Sequence, residues 1–205
     1  MKWKVCGMRE VQNCVEVAQL KPDFMGFIWA KKSPRYVGEN FRIPEGIGAE
    51  IKRVGVFVNE SVEEVIRLSK AAGFTWVQLH GEEGEVEILK LKNAGLGVIK
   101  AISVSNEADV AQVNGWVELP DYFLFDTKKG STVGGTGERF DWNVLKSYAL
   151  EVPIILAGGL DETTVQEALE LSKRYPIEVL DFNSKLEVSP GLKDIGKVKR
   201  LSKLI

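Results

Sequence analysis

Short apolar runs rich in β-branched and aromatic residues recur from one end of this chain to the other, each closed by a turn and followed by a segment of helical period. That alternation is the signature of βα units, in which a helical crossover returns the chain so that successive strands run parallel. The runs predict strands at residues 2–6, 24–28, 53–58, 75–79, 97–101, 121–126, 153–156 and 177–181. Helices are expected between them at 10–19, 61–72, 84–94, 106–113, 141–148, 161–171 and 193–204, with a short one near 40–50. Ser61, with Glu64 three residues on, and Ser105 or Asn106 before an acidic first turn, carry the expected N-cap chemistry. Several strands read as continuous apolar runs, which fits parallel strands covered by helices on their outer face. Eight such units favour closure into an α/β fold, a single (β/α)8 TIM barrel over residues 1–205. An open doubly wound sheet usually has fewer strands and would place G-x-G-x-x-G after its first strand, a motif the chain lacks.

Charge and composition narrow the functional classes. The 27 basic and 29 acidic residues leave a net charge of -2, so no overall cationic field recruits nucleic acid or an anionic membrane, and an anion must be caught locally. No apolar run approaches the roughly 18 residues of a membrane span, and the start MKWKVCGMRE lacks a signal-peptide pattern, so a cytoplasmic protein is expected. Two cysteines, Cys6 and Cys14, make neither a disulfide framework nor a metal site. Cys14 falls among Val11, Val15 and Ala18 at helical spacing and reads as packing.

Chemistry in a (β/α)8 barrel collects where the strands end, because all the βα loops converge on that face. Cys6 closes the first strand, Arg35 follows the second, His80 the fourth and Asp126 the sixth. Taken singly, Cys6 is equally a small buried hydrophobe, Asp126 a loop cap and His80 a scaffold hydrogen-bonder. Gly7 is expected to leave the approach to the Cys6 sulfur open. Gly158 and Gly159 lie between a strand and the helix expected near Asp161, where bare backbone N–H groups can meet a phosphate, or simply make a tight turn. Asn183, Ser184 and Lys185 follow the eighth strand and would complete that anion site. Residues 128–142, with four glycines, read as a mobile lid or a solvated loop.

With Cys-Gly at strand one, KSPRYV after strand two, GVFVNE at strand three, VQLHGEE at strand four, FDTKKGSTVGGTGERFDW around strand six and LAGGL at strand seven, the chain resembles the phosphoribosylanthranilate isomerases. The likeness runs in order to about residue 194. It implies an Amadori rearrangement of phosphoribosylanthranilate in tryptophan biosynthesis, with Cys6 as general base and Asp126 as general acid. It further implies that Arg35 holds the anthranilate carboxylate, that the strand-seven glycines and the strand-eight loop bind phosphate, and that neither metal nor cofactor is used. Unperturbed pKa values of about 3.9 for Asp and about 8.5 for Cys run the wrong way for those roles, so the site must shift at least one of them, with Arg35 expected to favour the thiolate. Where the family usually has D-V-S-S-G-V-E, this chain reads DFNSKLE, so Asn183 and Lys185 replace a serine and a glycine. A related sugar-phosphate isomerase of histidine biosynthesis and a phosphate-binding barrel without turnover are the alternatives. The partner expected is a small-molecule substrate, with the chain as monomer or homodimer.

Overall fold

The structure, a computed structural model, describes residues 1–117, 120–127 and 140–205. Eight parallel strands close into a barrel in chain order: β1 (Lys2–Val5), β2 (Phe24–Ile28), β3 (Lys52–Phe57), β4 (Trp76–Leu79), β5 (Gly97–Val104), β6 (Tyr122–Thr127), β7 (Ile154–Leu156) and β8 (Ile177–Phe182). Closure is a four-residue parallel register between β1 and β8, Lys2 to Val179 through Val5 to Phe182. Helices α1 (Val11–Ala18), α2 (Val62–Ala72), α3 (Glu85–Asn93), α4 (Glu107–Ala111), α5 (Val165–Leu171) and α6 (Ile195–Leu201) lie between and after the strands. A hairpin of β9 (Glu187–Ser189) and β10 (Leu192–Lys193) follows β8. Among the described residues no helix is long and apolar enough to cross a membrane.

Two cores result from the period-2 alternation of the strands. Outward residues such as Val5, Phe27, Val77, Phe123, Phe125, Leu180 and Phe182 pack beneath the helices. Inward residues Phe24, Val54, Ile99, Ala101, Tyr122, Leu124, Ile155, Ala157 and Val179 fill the barrel itself. Ser61 caps α2 by accepting from the Glu64 N–H, while Asn106 caps α4 and Asp109 reaches back to its N–H. Cys14 is fully buried on α1 as expected, although Val11 points to solvent and Asn13, Val17 and Ala18 share the buried face.

Several expectations fail for local reasons. No helix forms near 40–50, where Pro44 lacks an N–H and Gly46 adopts φ +96°; Ile47 and Ile51 are buried from an irregular path instead. Residues 142–147 form a 3-10 helix, and so do 112–115 after α4. Helix α5 starts at Val165, not Asp161, because Asp161 closes a turn with Thr163 and Thr164 first. The last helix starts at Ile195 because Lys193 belongs to the hairpin. Of the lid expected at 128–142, residues 128–139 lie outside the described residues.

Candidate active site

At the C-terminal ends of the strands a cavity of about 1480 Å³ opens. Cys6, Arg35, His80, Asp126, Gly158, Gly159, Asn183, Ser184 and Lys185 all line it, as do Gln78 and Asp181. Cys6 is held in the barrel wall by its N–H, which donates to the Phe182 carbonyl at 2.8 Å. Its side chain fits because β2 has a glycine alongside: a Cβ on Gly26 would lie 2.7 Å from Cys6 Sγ. The space expected of Gly7 therefore comes from Gly26. Gly7 has φ +73°, and a Cβ there would meet Asn183 Oδ1 at 2.6 Å and Arg35 Cδ at 2.7 Å, so its bareness lets those two side chains approach.

A buried ionic layer surrounds the sulfur. Lys4, two residues before Cys6 and on the same inward face, donates to Asp181 Oδ2 and to Gln78 Oε1, each at 2.9 Å. Burial raises the Cys6 thiol above its ordinary value, against the opposing pull of Lys4 and Lys193. Because Gln78 gives its oxygen to Lys4, its amide nitrogen faces His80 Nδ1 at 3.2 Å, and that ring nitrogen accepts. His80 then carries its proton on Nε2, which is buried without a hydrogen-bond partner among the described residues and lies 3.9 Å from Asp126 Oδ2. Burial, Lys100 and Lys4 push the His80 pKa down to about 4, so near neutral pH this contact is not an ion pair. Asp126 is pushed up to about 6 by burial, against the Thr127 N–H that donates to its Oδ1 at 2.8 Å. The loop bearing His80 is pinned by Lys100, which donates to the Gly81 carbonyl at 2.6 Å and pairs with Glu83 at 3.0 Å.

On the opposite rim Arg35 is engaged by a partner the sequence did not suggest. Its Nε and Nη2 grip both oxygens of Glu187 at 2.8 and 2.7 Å, leaving Nη1 without a partner among the described residues. Buried Lys193 also donates to Glu187, at 2.9 Å, and to Asn183 Oδ1, at 2.8 Å. Burial would raise the Glu187 carboxyl, but Arg35 and Lys193 bring it down to about 2. Arg35 is thus partly neutralised but still interacts with Cys6, and the stronger cationic pulls on the thiol come from Lys4 and Lys193. Asn183, expected at the anion site, accepts from Lys193 through its side-chain oxygen. Gly158 and Gly159 have φ of +87° and +73°, backbone conformations that a side chain would strain. Lys185 stands exposed beside that turn and shares a shallow crevice with Asp161.

The family model for N-(5'-phosphoribosyl)anthranilate isomerase matches residues 3–203. The chain belongs to this family. An N-(5'-phosphoribosyl)anthranilate isomerase from Phocaeicola vulgatus is 41% identical over 195 residues, which cover 95% of this chain and 93% of the relative. The crystal structure of the phosphoribosyl anthranilate isomerase from Thermus thermophilus superposes with a TM-score of 0.87 at 29% identity, covering 100% of this chain and 98% of that one. A phosphoribosyl anthranilate isomerase in complex with reduced 1-(o-carboxyphenylamino)-1-deoxyribulose 5-phosphate superposes with a TM-score of 0.82 at 29% identity, over 99% and 97% of the two chains.

Within the phosphoribosylanthranilate isomerase frame, Lys4, Gln78, Asp181, Glu187 and Lys193 are the residues that sequence reasoning passed over. Four of them carried a usable signal. Lys4 precedes Cys6 by two positions, Gln78 precedes His80 by two and Asp181 precedes Asn183 by two, so each shares the inward face of its strand. Lys193 lies in PGLKD at 190–194, at the end of the stretch over which the likeness to the family runs.

Proposed function

We propose that Asp126 and Cys6 are the general acid and general base by which this phosphoribosylanthranilate isomerase converts N-(5'-phosphoribosyl)anthranilate to 1-(2-carboxyphenylamino)-1-deoxyribulose 5-phosphate, a step of tryptophan biosynthesis. The observation that carries the assignment is that both line one cavity at the strand ends, where burial raises the Asp126 carboxyl to about 6. With its pKa raised to about 6, Asp126 keeps a proton within reach near neutral pH, which an ordinary carboxyl does not.

In this reading Asp126 gives its proton to the furanose oxygen as the bond from C1 to that oxygen breaks, and the aminoaldose opens to a cationic imine. The charge on the imine acidifies the neighbouring C2 proton. The Cys6 thiolate takes that proton, and the resulting enolamine tautomerises to the ketose. One proton leaves Asp126 and one arrives at Cys6, so the isomerisation is balanced overall. Gly158, Gly159, Ser184 and Lys185 would receive the phosphate at the end of the cavity formed by β7 and β8. Arg35, through its unpaired Nη1, would receive the carboxylate.

The reaction is followed by loss of the substrate's anthranilate fluorescence. Loss that is first order in protein and stops when substrate is exhausted is the expected result. Absence of any loss with freshly made substrate would remove the isomerase assignment.

A further inference from the structure

Beneath the Cys6 sulfur, on the side away from the cavity mouth, lies an ammonium with no part in the proton transfers of the isomerisation. The Lys4 side chain is wholly buried, yet the layer immediately below it in the barrel is apolar. A primary ammonium has three N–H donors. Two are spent on Asp181 Oδ2 and Gln78 Oε1, and Cys6, two residues further along, follows Lys4 on the same inward face. Gln78 is neutral, so only Asp181 and, when ionised, Cys6 can answer the charge.

For stability alone the arrangement is poor. A buried ion pair is typically no better than well-packed apolar side chains of similar volume. Asp181 is also not fully used: its Oδ1 is buried with no partner among the described residues, and the residue lines the cavity. What an ammonium beside a sulfur in a poorly solvated interior does accomplish is to favour the thiolate over the thiol.

We propose that Lys4 is a positioning residue that favours the thiolate of Cys6 over the thiol, in competition with Asp181 for the same ammonium. The inference rests on the assignment of Cys6 as the base. Other charged groups facing the sulfur are accounted for: Lys193, from β10, is tied to Glu187 and Asn183, and Arg35, from the segment after β2, is tied to Glu187. Asp181, from β8, opposes the thiolate. Lys4, from β1, is the cation among them that shares an inward face with Cys6, two residues away.

The test is the rate at which iodoacetamide alkylates Cys6 as a function of pH, read by mass spectrometry of the Cys6 peptide. Cys14, whose thiol is pushed up to about 12 by burial, does not contribute in the working range. Lys4→Met alone strands Asp181 in the interior and is expected to weaken the fold, so the decisive pair is Asp181→Asn against Lys4→Met/Asp181→Asn. Removing Asp181 should lower the midpoint below that of the wild type, because the thiolate gains sole possession of the ammonium. Removing Lys4 as well should raise it by at least about one pH unit relative to Asp181→Asn, which is about a tenfold slower reaction at a pH below both midpoints. Equal midpoints in that pair would overturn the proposal and leave Cys6 in its catalytic role. Undiminished isomerisation by Cys6→Ser would instead remove that role without touching the midpoints.

Discussion

Two layers of the same barrel interior lie one step of strand alternation apart and obey opposite rules. In the lower layer Phe24 meets Trp76 and Tyr122 edge to face, with ring centroids 5.6 and 5.8 Å apart, and Val54, Ile99, Leu124, Ile155 and Val179 fill the remaining space. Two residues further along the same strands, Leu124 gives way to Asp126, Val179 to Asp181 and Trp76 to Gln78 and then His80. The lower layer gains from removing apolar surface from water, and the upper layer loses by holding carboxyls, a thiol and an ammonium away from it. The comparison teaches that one set of strands can both stabilise the barrel and carry a layer that stability alone would not select.

The comparison breaks most visibly in turnover. Cys6→Ser and Asp126→Asn should each lower kcat by about 10²- to 10⁴-fold, the usual contribution of a positioned acid or base, while their folded structures persist. A variant of either residue with near-wild-type fluorescence loss would take that residue out of the mechanism. In the lower layer the effect should move to stability: Phe24→Ala is expected to cost ~3–5 kcal/mol in urea unfolding, with KM unchanged for the molecules that remain folded. A raised KM with unchanged stability would show that the two layers are not separable.

A sharper form of the contrast is that a change in the upper layer can damage function and improve the fold. Burial raises Asp126 from its ordinary 3.8 to about 6, so the folded state holds its proton more tightly than the unfolded chain does. The sign follows by linkage. Below the unfolded value both states are protonated and there is no penalty; as pH rises from about 4 to about 6 the unfolded chain ionises first, and the folded state loses stability relative to it. Asparagine never ionises. Asp126→Asn should therefore be more stable than the wild type by ~1–3 kcal/mol above pH 6, with the advantage shrinking toward zero near pH 4. Melting curves across that range check it, and an advantage independent of pH would mean that ionisation of Asp126 is not the cause.

The same two layers explain what was legible in the sequence. Apolar runs announce themselves locally, so all eight strands and their order could be read from short windows. The face that carries chemistry could not. In KWKVC, Lys2 and Lys4 alternate with Trp3 and Val5, a pattern that in a half-exposed sheet would put the lysines in water. In a closed barrel the helices take the apolar face, and Lys4 turns inward. Its partner Asp181 is 177 residues away, and the Arg35 partner Glu187 is 152 away, distances over which no periodicity carries information. The β9–β10 hairpin was missed because its strands are three and two residues long, too short for alternation to register. Placement of the strand ends brought all nine expected site residues to one cavity, but the ionic partners that set their charge were visible only after the chain closed on itself.

The smallest expected effect lies at the edge of the upper layer, where the sequence departs from its family. Lys185 is exposed beside the Gly158–Gly159 turn, so its ammonium can face a phosphate only across solvent. Exposed charge pairs are weak, and Lys185→Ala should raise KM by roughly two- to fivefold at low salt with kcat unchanged. Screening sets the discriminating condition. At about 1 M salt the Debye length falls to about 3 Å, and the difference between variant and wild type should disappear. Steady-state kinetics at the two ionic strengths measure this directly. A KM penalty that survives high salt would mean that Lys185 makes a close, desolvated contact with the phosphate, and the boundary between the buried ionic layer and the solvated rim would then lie one residue further out than its exposure implies.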